Sequence, residues 1–173
     1  MFSKTDIEKY FMAEKQESMI FILVGTVAII AAIAFYFIIK SSFVKGAAWP
    51  LIAIGLIQVI VGFTVYTRSD GDRVKNVYAY DMNPGELKTK EIPRMETVNR
   101  NFVIYRWVEL VLLAAGLVLI LVNSRNPGGI SFWYGFGMAL ALQAFIMLGA
   151  DYFAEKRAIS YYKGLVEFTR SMK

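Results

Sequence analysis

The sequence predicts an all-α polytopic membrane protein, a four-transmembrane-helix bundle made of two hairpins with cytoplasmic helical extensions. Three observations support this: long apolar runs, alternating link lengths and an uneven distribution of basic residues. Four apolar runs occupy residues 19–39, 47–66, 107–122 and 130–150, and the first contains no charged residue. Because about 20 helical residues cross a hydrocarbon core of about 30 Å, we interpret each run as one span. The first run is longer than a signal-peptide core, so we expect it to be retained.

The links between the runs are short, long and short, which predicts two helical hairpins joined by the central link. Only 19% of the residues are charged, against about 25% in soluble domains, and no second soluble domain is expected. The predicted segments are an N-terminal interfacial helix (1–18), a first hairpin (19–66), a link with helical segments (67–102), a second hairpin (103–151) and a helical tail (152–173).

The basic residues predict the orientation. Sixteen of the 19 Lys and Arg residues lie before the first run, in or just after the central link, or in the tail. Positive residues collect on the cytoplasmic side of membrane proteins, so both termini and the central link are expected in the cytoplasm. We expect a bacterial plasma (inner) membrane protein. The net charge of +5 is then explained by anionic lipid headgroups, and no nucleic-acid partner is expected.

Local signals mark the helix ends. Thr5 and Glu8 have the spacing of a capping box, which predicts a helix start near the N-terminus. Asn83-Pro84-Gly85 predicts a turn in the central link, and Pro93 is expected to begin the helix that enters the third span. Asn126-Pro127-Gly128-Gly129 predicts the tight turn of the second hairpin.

Small residues and a weak repeat bear on how the helices assemble. Gly135, Gly137 and Ala139 on the fourth run, and Ala28 with Ala32 on the first, allow helices to approach closely, within the bundle or in a homo-oligomer. The hairpins also share a Trp, a later Gln and a polar exit, which leaves a tandem duplication open.

The composition excludes many chemistries. The chain contains no Cys and no His, so thiol catalysis, Ser–His triads and zinc or haem ligation by these residues are excluded within it. Asp70 and Asp72 flank a glycine but lack the other ligands of a calcium loop. We therefore expect no enzyme, no cofactor and no metal site.

Gln58 and Gln143 are the strongly polar side chains deep within the apolar runs. Lipid offers a buried amide no partner, so each must find one inside the protein. A hydrogen bond between helices is the favoured interpretation, and the lining of a substrate path is the alternative.

Five further residues are candidates at the cytoplasmic boundary. Arg106 and Glu109 lie three positions apart at the start of the third span, and the favoured interpretation is a boundary ion pair between them. The alternative is an intramembrane ion or proton site formed by Arg106 and Glu109 together with Asp151. Tyr66 and Arg68 lie at a similar predicted depth, so all five could form one polar ring.

These observations favour a non-enzymatic membrane protein that acts through protein contacts, as an accessory subunit, an assembly factor or an immunity-type protein. Its partner surface would be the cytoplasmic face. The alternative is a small oligomeric channel or transporter with a polar site at the cytoplasmic end of the bundle. A lipid-modifying enzyme is the least favoured class, because it would have to work without His or Cys.

Overall fold

The computed structural model describes residues 2–125 and 131–171, and over these ranges the chain forms four long helices. They are α1 (Lys4–Ile38), α2 (Ser42–Met82), α3 (Pro84–Asn123) and α4 (Phe132–Ser171). Each is long and apolar enough to cross a membrane, so the prediction of four apolar helices is confirmed. At 1.5 Å per residue they measure roughly 50 to 60 Å, well beyond the hydrocarbon thickness.

The start of α1 differs from the prediction. The backbone N–H and the hydroxyl of Ser3 donate to the Asp6 carboxylate at 2.8 and 2.7 Å. This Ser3–Asp6 pair forms the capping box two residues before the predicted Thr5–Glu8 pair, with the same spacing and chemistry. From Lys4 the helix continues without a break into the first apolar run.

The break between α2 and α3 lies at Asn83, where the backbone has φ −150° and ψ 70°, and Pro84 begins the next helix. Pro93 lies in the first turn of the α-helical segment Ile92–Asn123, as predicted, but this segment continues the helix that starts at Pro84 and does not follow a break. A wider π-helical turn, Leu87–Glu91, immediately precedes Ile92. Such a turn relaxes the normal backbone spacing, which helps the helix to accommodate a residue without an N–H. The predicted turn at Asn126–Gly129 lies outside the described residues.

Glycines allow the helices to touch at their backbones. A Cβ atom on Gly25 would lie 2.6 Å from the carbonyl oxygen of Gly55, and one on Gly116 would lie 2.9 Å from that of Gly137. A side chain at these positions would push the helices apart. The predicted close approach at Gly137 is thus found within the chain.

The backbones pack as α1 with α2, α3 with α4, and α2 with α4, whereas the backbones of α1 and α3 approach each other at most marginally. We call residues 2–18, 67–102 and 152–171 the charged half, and the remaining described residues the apolar half. All four helices meet in the core of the charged half, where Ile7, Phe11, Leu87, Met95 and Leu165 are almost completely buried. The apolar half instead exposes large side chains such as Leu23, Phe37, Trp107, Leu121 and Phe145.

Candidate functional site

A cavity of about 420 Å³ lies between the helices where the charged half meets the apolar half. Each of the four helices contributes to its wall. The charged side chains that line it are four carboxylates and one guanidinium: Glu14 and Glu17 of α1, Glu109 of α3, and Asp151 and Arg157 of α4. Its lining is therefore strongly acidic, in a protein whose net charge is +5.

Glu109 is the most unusual residue of this cavity. It is only 2% exposed, and neither of its carboxylate oxygens accepts a hydrogen bond from an N–H or hydroxyl group among the described residues. Asp151, a second carboxyl group, lies beside it. The structure thus brings together the two carboxyl groups of the alternative interpretation.

Arg106 does not form the favoured boundary pair with Glu109. Its side chain is largely exposed, and Nη1 donates to Oε2 of Glu155 on α4 at 3.1 Å. Positions three apart on a helix differ in direction by roughly 60°, which is enough to turn Arg106 outward while Glu109 points into the bundle. The ion pair predicted from spacing is therefore replaced by one between α3 and α4.

Gln58 and Gln143 are each 2% exposed and form the predicted contact between helices. Nε2 of Gln58 donates to Oε1 of Gln143 at 3.5 Å, which joins α2 to α4. Gln58 also lines the cavity, and its own Oε1 has no hydrogen-bond partner among the described residues. Both interpretations of Gln58 are compatible with this geometry.

Tyr66 and Arg68 contact α1 beside the cavity and are not among its lining residues. The ammonium of Lys15 lies 4.8 Å from the centre of the Tyr66 ring. Arg68 is exposed, and its Nη2 donates to Oε1 of Glu14 at 3.3 Å. Since Arg106 also points outward, the predicted five-residue ring does not form within the described residues.

Glu14, Glu17 and Arg157 are site residues that sequence reasoning missed. Ser69 donates to Oε2 of Glu14 at 3.2 Å, and Arg157 forms an ion pair with Glu17. The sequence could have indicated Glu14 by its position, because it follows the buried Phe11 by three residues and lies on the same helical stripe. These partners compensate the carboxylates of α1, whereas no basic side chain among the described residues pairs with Glu109 or Asp151.

A partly buried ion pair also lies beside the core of the charged half. The Arg94 guanidinium donates to both carboxylate oxygens of Glu91 at 2.7 and 2.8 Å, and it stacks over the Phe11 ring at 5.3 Å. The Tyr161 ring stacks on that of Tyr10 at 4.2 Å. Burial, with the nearby Glu91 carboxylate, raises the pKa of Tyr161 well above its ordinary value.

Within residues 2–125 and 131–171, no group of three or more acidic side chains is arranged to hold a metal ion. Asp70 instead forms ion pairs with Lys15 and with Arg73.

Comparisons of this chain with protein-family models, with curated proteins and with solved structures find no match. The case for a function therefore rests on the cavity and on the surface of the helices.

Proposed function

We propose that the apolar half crosses a bacterial plasma membrane and that the charged half lies in the cytoplasm. The four apolar helices and the large exposed apolar side chains of this half support the first statement. The presence of fourteen of the 19 basic residues in the charged half supports the second. In this arrangement α1 and α2 form one hairpin and α3 and α4 the other, and the basic side chains contact anionic headgroups.

We further propose that the protein is a small, non-enzymatic membrane transporter that binds a cation in the cavity. The observation that carries this proposal is Glu109, buried to 2% exposure with both oxygens unpartnered among the described residues. An ionised carboxylate without a partner costs several kcal/mol in a medium of low dielectric constant. The pair with Asp151 must therefore hold either a proton or a bound cation, and exchange between the two is the basis of coupled transport.

The position of the pair suits exchange with the cytoplasm. Glu109 lies two residues into the third apolar run, and Asp151 directly follows the fourth. In the proposed orientation both groups lie at the inner boundary of the hydrocarbon core. A cation from the cytoplasm would reach them without crossing the apolar half.

The test is cation-driven proton movement in proteoliposomes. Vesicles with an acidic interior carry a fluorescent probe of the pH gradient, and K⁺, Na⁺ or tetraethylammonium is added outside. We expect at least one cation to collapse the gradient in vesicles with the wild-type protein. Because Glu109→Gln removes the negative charge and keeps the side-chain size, the rate should fall at least about tenfold, a loss of about 1.4 kcal/mol or more.

Glu86→Gln is the matched control, because Glu86 pairs with Lys90 on the surface of the charged half. Its vesicles should behave as wild type. Gradients that collapse no faster than in protein-free vesicles, or equally fast with Glu109→Gln, would rule out this transport function.

A second candidate function, action through protein contacts, is favoured by one surface of α2. Val74, Tyr78 and Met82 follow one another at intervals of four residues and are 63, 64 and 68% exposed. In the proposed orientation this apolar stripe faces water, where such a surface favours a partner. Purification in mild detergent should then yield a stoichiometric complex that Tyr78→Glu disrupts and Lys75→Glu, beside the stripe, retains. A wild-type protein that purifies alone would exclude this function.

A further inference from the structure

The proposed cation site has a built cavity, which allows its ligand to be described chemically. Two of its polar groups point to a ligand. Glu109 is 2% exposed with both oxygens unpartnered, and Gln58 is 2% exposed with Oε1 unpartnered, among the described residues. Both line the same space. When the acid pair has released its proton, these acceptors match a positively charged group that donates hydrogen bonds.

The cavity has a polar part and an apolar part. Glu14, Glu17 and Arg157 lie toward the charged half. In the other direction along the helices, Phe21, Leu112 and Met147 lie one turn beyond the level of Ser18, Glu109 and Asp151, and they form an apolar lining. A ligand that fills both parts must carry its charge at one end.

The cavity is larger than a bare inorganic ion needs. The cavity measures about 420 Å³, within the range of about 300–1,000 Å³ typical of sites for organic ligands. A metal ion would leave most of this space unfilled, and the described residues offer no group of three acidic side chains to hold one. The ligand therefore needs an organic body.

One side of the bundle is open beside this cavity. Both α1 and α3 line it, yet they share at most a marginal contact. On α3, the lining residues Tyr105 and Val108 are 50 and 52% exposed, so the wall at this side reaches the protein surface. In the proposed orientation the opening faces the inner leaflet.

From these observations we infer that the cavity binds an amphipathic organic ammonium ion, which enters from the inner leaflet between α1 and α3. The inference rests on the proposed cation site. The ammonium donates to Glu109 and Asp151, with Gln58 Oε1 as a further acceptor, and the hydrocarbon chain contacts Phe21, Leu112 and Met147. The excess of carboxylates rejects anions, and a neutral alcohol leaves the buried charges uncompensated.

The test uses hexylammonium chloride as the probe, with the purified full-length protein in a non-ionic detergent. Thermal unfolding is followed as the probe is titrated, with 1-hexanol and sodium hexanoate as isosteric comparisons. We expect a saturable rise of Tm with hexylammonium alone. Methylammonium, which has the charge without the chain, should bind at least about tenfold more weakly, because five buried methylene groups contribute several kcal/mol.

Two variants separate the charge from the chain. Glu109→Gln should weaken hexylammonium binding at least tenfold, whereas the surface control Glu86→Gln should not change it. Leu112→Phe fills part of the apolar space, so it should weaken hexylammonium binding and leave that of methylammonium unchanged. Each variant must show a cooperative unfolding transition without the probe, which establishes that it is folded. If Leu112→Phe shows no such transition, Met147→Phe is used in its place.

Equal shifts of Tm with hexanol or hexanoate, or unchanged binding in Glu109→Gln, would overturn the inference. Its failure and that of the transport function are distinguishable. Hexylammonium binding without collapse of a pH gradient would support the ligand class and exclude transport. Gradient collapse driven by K⁺ or Na⁺, without hexylammonium binding, would support transport and exclude this ligand class.

Discussion

At the scale of single residues, the carboxylates around the cavity differ in their partners. Glu14 accepts hydrogen bonds from Arg68 and Ser69, and Glu17 pairs with Arg157. Glu109 instead lies beside Asp151, another acid. Side chains of the same chemical type therefore have different roles, because the partner determines whether a buried charge is compensated.

The amide pair provides a test of buried polar contacts in the apolar half. Gln58→Leu leaves the Gln143 carboxamide without its donor, so we expect a loss of about 1 kcal/mol in the free energy of unfolding. The double variant Gln58→Leu/Gln143→Leu removes both polar groups and should regain most of the lost free energy of unfolding. Unfolding in mixed micelles measures the two effects, and strictly additive losses would contradict the coupling.

The tyrosine stack predicts a sensitivity to alkaline pH. Because the pKa of Tyr161 is raised by burial, the folded protein retains a proton that the unfolded chain releases near about pH 10. This contribution to stability is complete below that pH and is lost as the pH rises above it. We expect Tm to fall between about pH 9.5 and 11.5, and to fall less steeply in Tyr161→Phe.

Tyr78→Phe, at a tyrosine that is 64% exposed, is the matched control for this pH series. An identical pH dependence in Tyr161→Phe and wild type would show that the buried phenol does not contribute.

At the scale of helices, backbone contact between α2 and α4 depends on two glycines. A Cβ on Gly46 would lie 1.9 Å from the Phe132 carbonyl oxygen, and one on Gly135 would lie 2.0 Å from that of Phe43. Backbone atoms of two packed helices cannot move aside as a flexible side chain can. These helix ends can therefore approach this closely only because neither glycine carries a side chain.

Substitution of these glycines should show this dependence. Gly46→Ala or Gly135→Ala should lower the free energy of unfolding by about 1–3 kcal/mol, because the helices must separate. Gly71→Ala is the opposite case, since a Cβ there meets nothing within 4 Å and alanine favours the helix by about 0.5–1 kcal/mol. Denaturant titration compares the three variants, and a stable Gly46→Ala protein would contradict the close crossing.

At the scale of the whole molecule, the core of the charged half ties the four helices together at one end. Ile7, Leu87, Met95 and Leu165 come from α1, α3 and α4 and are fully buried, while α2 adds Ala79 to the same cluster. Beyond this core the α1–α3 side is open. A bundle closed at one end and open along one side can admit a ligand without unfolding its core.

The proposed orientation can be measured directly, because the chain contains no cysteine. Thr97→Cys lies on the exposed surface of the charged half, and Ser42→Cys lies at the opposite end, at the first residue of α2. In intact spheroplasts, a membrane-impermeant maleimide should label Ser42→Cys alone. Thr97→Cys should react only after permeabilisation, and the reverse pattern would invert the orientation.

Much of the fold follows from local properties of the sequence. The four apolar helices and the break at Asn83–Pro84 depend on hydropathy and on backbone chemistry, which act within a few residues. The capping box was predicted two residues too late, because two pairs with suitable spacing, Ser3–Asp6 and Thr5–Glu8, lie close together. Pro93 lies in the first α-helical turn, as predicted, but the π-helical turn before it was not predicted, because such a turn depends on neighbouring structure rather than on the proline alone.

The site could be predicted only in part. The sequence alone determined that Gln58, Gln143, Glu109 and Asp151 are polar groups at or within apolar runs, because that is a matter of composition. Only the tertiary structure decided that Glu109 meets Asp151, that Arg106 turns away to Glu155, and that α1 contributes Glu14 and Glu17. The physical reason is that a side chain's direction changes by about 100° per helical residue. Its partners are therefore set by the rotation of each helix and by packing between segments far apart in the chain.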